Sequence, residues 1–140
     1  MTSPPAPVPH PAATELRRWI LHSVGDLRRL RAGLREAAAA TPLGDHDTLD
    51  RLAVVATELA TNALRHAGAP ALVRLLREPA ALIVDVADHD PDGEPRFDEE
   101  RPLGRGGLGL RLARDFATDL GWHRTVTTKH VWARFDLVRD

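Results

Sequence analysis

The chain has 140 residues, of which 43 % are hydrophobic and 28 % charged, with no cysteine and a formal net charge of −1 at pH 7. This length predicts one domain with a single modest core, and the lack of cysteine excludes disulfides and thiolate metal sites. A balanced charge gives no overall field that attracts nucleic acid or anionic lipid, and no apolar run approaches the ~20 residues that span a bilayer. We therefore expect a cytoplasmic protein that does not bind nucleic acid or a membrane directly.

A segment rich in proline and alanine precedes the first predicted element. Residues 1–14 lack both the basic start and the apolar core of a signal peptide. Their composition is typical of a disordered tail, so residues 15–140 are the predicted folded domain.

A strand and a helix are predicted after this tail. Residues 17–24 contain a run of bulky apolar residues around Trp19 and Ile20, which favours a strand. Residues 26–40 are rich in leucine, arginine, glutamate and alanine, which are good helix formers. Leucines recur at helical spacing in this segment, so we expect the helix to pack by one face.

The second predicted helix spans residues 47–67. Asp47 is a good N-cap, and Gly68 followed by Pro70 is the order in which helices commonly end. This helix contains the most informative pattern of the chain.

Glu58, Asn62 and His66 recur every four residues in the second helix. That spacing places them along one stripe beside an apolar face. A carboxylate and a carboxamide one turn apart, at the edge of a buried face, can hold a hydrated metal and act on a group bound there. The alternative is that Glu58 and Asn62 are simply solvated, and the pattern alone favours that structural role.

Two strands follow at residues 72–78 and 81–87, joined by a tight turn at Pro79. Every second residue of the later strand is apolar, and Asp88 continues that alternation. We therefore expect the Asp88 carboxylate to face the helices, where it needs a partner such as the exocyclic amine of a purine. The alternative is a surface turn residue.

The rest of the chain is predicted as a long polar loop at residues 91–105, a helix at 106–120, and strands at 121–127 and 129–138. Together the elements predict an α/β two-layer sandwich. Its mixed, mostly antiparallel sheet is covered on one face by helices.

A glycine-rich stretch opens the last predicted helix and satisfies the pattern G-x-G-x-x-G. Its glycines are Gly104, Gly106, Gly107 and Gly109. A dinucleotide-binding fold needs a strand directly before this pattern, whereas a polar loop precedes it here. A glycine-rich loop at a helix start still favours phosphate through its free N–H groups and the helix dipole. The alternative is a flexible connector.

The order of these motifs resembles the ATP-binding (Bergerat) fold of the GHKL superfamily, which holds gyrase, Hsp90, histidine kinases and MutL. Within that group, residues 58–67 and the short chain look most like anti-sigma-factor serine/threonine kinases of the RsbW type. Residues 129–132 resemble their final strand. The resemblance covers roughly residues 15–140.

The resemblance implies ATP and Mg²⁺ as cofactors and a role for each motif. Asn62 would be the magnesium ligand, and Glu58 would be the general base that takes a proton from a serine hydroxyl. Asp88 would accept a hydrogen bond from the adenine amine, and the four glycines would form a lid over the phosphates. His66, at the helix end, is expected to have a structural role.

The resemblance also implies an activity and partners. It indicates a serine/threonine protein kinase that phosphorylates a small anti-sigma-factor antagonist, binds a sigma factor and forms a homodimer as its relatives do. A catalytic domain of a sensor histidine kinase is a weaker reading, because it needs a helical hairpin with a phospho-accepting histidine, which the residues before Arg17 do not supply.

Two departures from the family pattern motivate an alternative. The glycine expected two residues after Asp88 is Asp90, and His130 is expected to occupy the place of a threonine near adenine. The alternative is a catalytically inactive nucleotide-sensing or protein-interaction module on the same fold.

Overall fold

A computed structural model describes residues 13–41, 46–90 and 113–137. Two helices and five strands account for most of these residues, and a short helical segment lies at 113–116. In chain order the elements are β1 Thr14–Leu21, α1 Leu27–Ala39, α2 His46–His66, β2 Ala71–Glu78, β3 Ala81–Asp88, β4 Asp119–Arg124 and β5 Lys129–Asp136. A single 3₁₀ turn at Val24–Asp26 leads into α1.

The strands form one open sheet in the order β1-β2-β3-β5-β4, and every neighbouring pair is antiparallel. Helix α2 packs on β2, β3 and β5, while α1 packs on α2 and β1. Both helices therefore cover the same face of the sheet, which confirms the predicted two-layer α/β architecture. None of the helices in the described ranges is long and apolar enough to cross a membrane.

The core lies between the helices and this covered face. Alternation along each strand sends every second side chain towards the helices, so β3 contributes residues 82, 84 and 86 to the core. The largest side chains that are fully buried there include Leu21, Leu30, Leu34, Leu52, Val55, Val73, Leu75, Leu82 and Val84. The predicted one-sided packing of the first helix is confirmed by buried Leu30 and Leu34.

Several boundaries differ from the sequence prediction. Strand β1 occupies Thr14–Leu21, three residues earlier than predicted, because it pairs along β2 and not beyond residue 21. The last predicted helix was extended too far: residues 119 and 120 belong to β4, where they pair with Arg134 and Ala133. Cross-strand hydrogen bonding outweighs local helix propensity at this point.

Gly33 allows α1 to approach β1 closely. A Cβ atom at this position would lie 2.6 Å from Nε1 of Trp19 and 3.0 Å from two carbons of its ring. Trp19 is 3 % exposed and belongs to the core, so its ring has little room to move. A glycine inside a helix costs about 1 kcal/mol relative to alanine, yet the close contact here requires it.

We expect Gly33→Ala to lower the free energy of unfolding by about 1–3 kcal/mol, because overpacking outweighs the gain in helix propensity. Urea unfolding measures this change. Gly25→Ala is the matched control, since its new Cβ would meet only the Ser23 hydroxyl at an ordinary 3.4 Å. Equal stability of the two variants would contradict the close-packing argument.

Candidate functional site

Helix α2 carries both core residues and the predicted stripe. Leu59 and Ala63 are buried against the sheet, while Glu58 and Asn62 are half-buried beside them at the rim of the helix–sheet interface. His66, at the last turn, is exposed. The exposure of the stripe therefore increases along the helix towards His66. The part of the stripe that is suited to a ligand is the half-buried pair Glu58 and Asn62.

The Asn62 amide is held without a partner. Its Nδ2 atom is buried and finds no hydrogen-bond partner among the described residues. The nearby threonines differ, because Thr57 donates to the Ala53 carbonyl oxygen and Thr61 to the Thr57 carbonyl oxygen, each at 2.7 Å. A buried polar group without a partner costs about 1–3 kcal/mol, so an amide kept this way is suited to a polar ligand.

Glu58 is likewise free to act, since its carboxylate makes no hydrogen bond or ion pair within the described part of the chain. The amide oxygen of Asn62 fits Mg²⁺, which binds through one or two protein ligands and completes its shell with water and phosphates. No cluster of three or more His, Cys, Asp or Glu that could hold a metal occurs in residues 13–41, 46–90 and 113–137. The donors present suit a magnesium ion shared with a phosphate and not an all-protein cage.

Asp88 lies at the end of β3 and is 5 % exposed. It shares the helix-covered face of the strand with Val84 and Val86, as the alternation predicted. Its Oδ1 accepts a hydrogen bond from the backbone N–H of Asp90 at 2.8 Å, and its Oδ2 lies 3.4 Å from the Lys129 ammonium. The carboxylate is therefore oriented and neutralised by neighbouring groups of the chain itself.

The structure places His130 on the opposite face of the sheet from Asp88, the residue that is predicted to contact adenine. The register of β3 and β5 pairs Asp88 with Lys129 and Ala87 with His130. Paired residues share a face, so Lys129 stands beside Asp88 and His130 points to the face opposite α1 and α2. Sequence reasoning missed Lys129, although the apolar alternation of β5 already places it on the same face as Val131.

The face of the sheet opposite α1 and α2 holds a buried polar cluster that the sequence did not predict. Asp85 is 0 % exposed and accepts from Arg74 Nη2 at 3.1 Å. Its Oδ2 lies 3.0 Å from Nδ1 of His130, whose other ring nitrogen lies 3.1 Å from the Thr128 hydroxyl. The His130 ring stacks on His123 with centroids 4.6 Å apart. This cluster ties β2, β3, β5 and β4 together on the face opposite α1 and α2.

The predicted phosphate-binding glycines, Gly104, Gly106, Gly107 and Gly109, lie outside the described residues. The structure thus brings Asp88 to the same side of the sheet as α2, which carries Glu58 and Asn62. It separates His130 from them by placing it on the other face.

Comparison with known proteins bears on this arrangement. A family model for the histidine kinase-like ATPase domain matches residues 21–135. A crystal structure of the RsbU and RsbW domains of Rv1364c from Mycobacterium tuberculosis superposes with a TM-score of 0.62 at 18 % identity, over 89 % of this chain and 33 % of that one. The histidine kinase domain of a blue-light activated histidine kinase from Erythrobacter litoralis EL346 gives a TM-score of 0.50 at 21 % identity, over 81 % of this chain and 60 % of that one.

These likenesses show a shared fold, and the chain spans about a third of the length of the first structure. No curated protein sequence matches the chain.

Lowering the pH is expected to destabilise the protein through His123. Burial, and then the neighbouring His130, lower the pKa of His123 below its ordinary value of 6.5. The unfolded chain therefore binds the proton more readily than the folded one, so the free energy of unfolding falls as the pH decreases through 6.5. Urea unfolding at about pH 7.5 and about pH 5.5 measures this effect. Between these two pH values, the free energy of unfolding should fall more for the unmodified protein than for His123→Gln. An equal fall in both proteins would show that His123 does not contribute to the pH dependence of stability.

Proposed function

The chain belongs to the family of histidine kinase-like ATPase domains, and we propose that it is an ATP- and Mg²⁺-dependent serine/threonine protein kinase of the anti-sigma-factor type. The observation that carries this proposal is the pair Glu58 and Asn62, one helical turn apart and half-buried, with neither side chain engaged by the described residues. Both stand on the helix that packs against β3, the strand that ends in Asp88.

The proposed reaction is transfer of the γ-phosphoryl group of ATP to a serine or threonine hydroxyl. Asn62 holds the magnesium ion through its amide oxygen, and Asp88 accepts a hydrogen bond from the purine base. Bound magnesium supplies neutralisation of the phosphate charge, which together with positioning is most of what phosphoryl transfer requires. Glu58 takes the proton from the substrate hydroxyl while the hydroxyl oxygen bonds to the γ-phosphorus. At the same time, the bond between the γ-phosphorus and the oxygen that leaves with ADP breaks.

The proposed protein substrate is a small anti-sigma-factor antagonist, with a sigma factor as a second partner and a homodimer as the assembly. The likeness to a structure that contains an RsbW domain supports this assignment. A groove of about 540 Å³ lies between the start of α1 and the middle of α2. It is lined by Val24, Gly25, Leu27, Arg28, Arg31 and Thr57, the last of which directly precedes Glu58.

A second candidate is a nucleotide-sensing or protein-interaction module without catalysis. The observation in its favour is that the Asp88 carboxylate already accepts a hydrogen bond from the Asp90 amide and pairs with Lys129. A purine base would therefore have to share a carboxylate that already has partners within the chain. The two candidates differ in whether a phosphoryl group is transferred.

We expect Asn62→Ala to abolish magnesium-dependent ATP binding while leaving the free energy of unfolding within about 1 kcal/mol, because the amide has no partner to lose. Calorimetric titration with ATP, with and without Mg²⁺, measures the binding, and urea unfolding measures the stability. Arg65→Ala, at an exposed position on the same helix, is the control that should bind normally. Undiminished ATP binding by Asn62→Ala would exclude the proposed magnesium ligand.

We expect Glu58→Gln to reduce phosphoryl transfer by about 10²–10⁴-fold with ATP affinity little changed, because the substitution removes the base and keeps the shape. Transfer of labelled γ-phosphate to purified anti-sigma-factor antagonists measures it. Glu36→Gln, an exposed position on α1, is the matched control.

If the unmodified protein binds ATP and transfers no phosphate to any antagonist tested, the binding-module candidate replaces the kinase. If Glu58→Gln transfers phosphate normally, another group is the base.

A further inference from the structure

Lys129 is the only lysine of the chain, and it is buried beside Asp88. It opens β5 opposite Asp88 in the sheet register, and its ammonium lies 3.4 Å from Oδ2 of that carboxylate. Lys129 is 8 % exposed. Long cationic side chains are rarely buried to this degree unless they are paired, so the two charges hold one another in place.

A carboxylate and an ammonium read a purine edge differently. An ionised carboxylate only accepts hydrogen bonds, so Asp88 alone suits the 6-amino group of adenine and repels the 6-oxo group of guanine. An ammonium only donates, and it has three N–H groups. The pair Asp88 and Lys129 therefore presents one acceptor and one donor side by side.

We propose that Lys129 reads the base in the nucleotide site and lets it accept guanine nucleotides as well as ATP. This inference rests on the proposed function, in which Asp88 faces the base. The edge of adenine carries a donor at the 6-amino group beside an acceptor at N1, and the edge of guanine carries an acceptor at O6 beside a donor at N1. Either edge can pair with both members of the Asp88–Lys129 pair.

The hydrogen-bonding capacity of the pair is sufficient for such a contact. The Asp90 amide occupies one lone pair of Oδ1, and the Lys129 ammonium lies 3.4 Å from Oδ2 as an ion pair. Oδ1 has a second lone pair, Oδ2 also has lone pairs that can accept, and Lys129 carries three N–H groups. A base can therefore bind without breaking the ion pair that the buried charges need.

The affinity of the full chain for ATP and for GTP, each with Mg²⁺, tests the inference by calorimetry. We expect the two dissociation constants of the unmodified protein to lie within about tenfold of each other. Lys129→Met removes the donor and keeps an apolar stem, so it should weaken GTP binding by about tenfold or more relative to ATP, since guanine O6 is then left against the carboxylate. Lys129→Arg keeps a donor and is the control that should preserve the GTP to ATP ratio.

Labelling provides a second measurement that needs no variant. Protein grown with ¹³C-lysine gives one Cε signal, because Lys129 is the only lysine. Saturation with GTP and with ATP should each shift that signal, and inorganic tripolyphosphate, which has no base, should leave it in place.

Two results would overturn the inference, and they separate it from the proposed function. An ATP preference of about 100-fold or more in the unmodified protein, with the Lys129 signal unmoved by either nucleotide, removes the base-reading role and leaves the ATP site intact. Failure of the folded protein to bind either nucleotide removes the proposed function and this inference together.

Discussion

The register between β3 and β5 decides which charged groups face α1 and α2 and which lie on the opposite face of the sheet. In the observed register Asp88 stands beside Lys129 on the covered face, while Asp85 meets His130 on the other. Because side chains alternate along a strand, a slip of one residue would exchange the two faces of β5 and separate both aspartates from their partners on β5. The candidate base-binding groups and the buried cluster on the opposite face therefore depend on one strand pairing.

Helix α2 joins the core to the candidate site. Leu59 and Ala63 anchor the helix on the sheet, and the residues just before them in sequence, Glu58 and Asn62, are carried to the rim by the same rotation. The buried amide nitrogen of Asn62 without a partner lowers stability, whereas a stability-optimised helix would hold an apolar side chain there. A site that keeps polar groups unengaged at the edge of a core is organised for a ligand before the ligand arrives.

The two candidate functions share the fold and differ at Asp88. In a site that only needs to recognise adenine, a carboxylate free to accept is sufficient, whereas here the carboxylate is already paired with a buried ammonium. In the proposed nucleotide site, that pair would leave the charge near the purine base close to neutral. The proposals also assign base choice, phosphate binding and phosphoryl transfer to different residues, namely Lys129, Asn62 and Glu58.

Local periodicity was enough to predict the elements that carry the candidate site. A four-residue repeat on a helix and a two-residue alternation on a strand are properties of neighbouring residues, so the stripe on α2 and the inward direction of Asp88 followed from the sequence alone. The resemblance to the family rested on these two motifs followed by the glycine-rich stretch. The predicted contact of that stretch with phosphate stays a prediction.

Tertiary structure alone decided which residues meet across the sheet. Asp85 and His130 are 45 positions apart, and no local pattern indicates that they pair. Helix propensity after residue 116 was likewise overruled by the hydrogen bonds that β4 makes to β5. The ion pair between Asp88 and Lys129 belongs to the same class, because a contact between strands is set by the register of the whole sheet and not by the residues at either end of it.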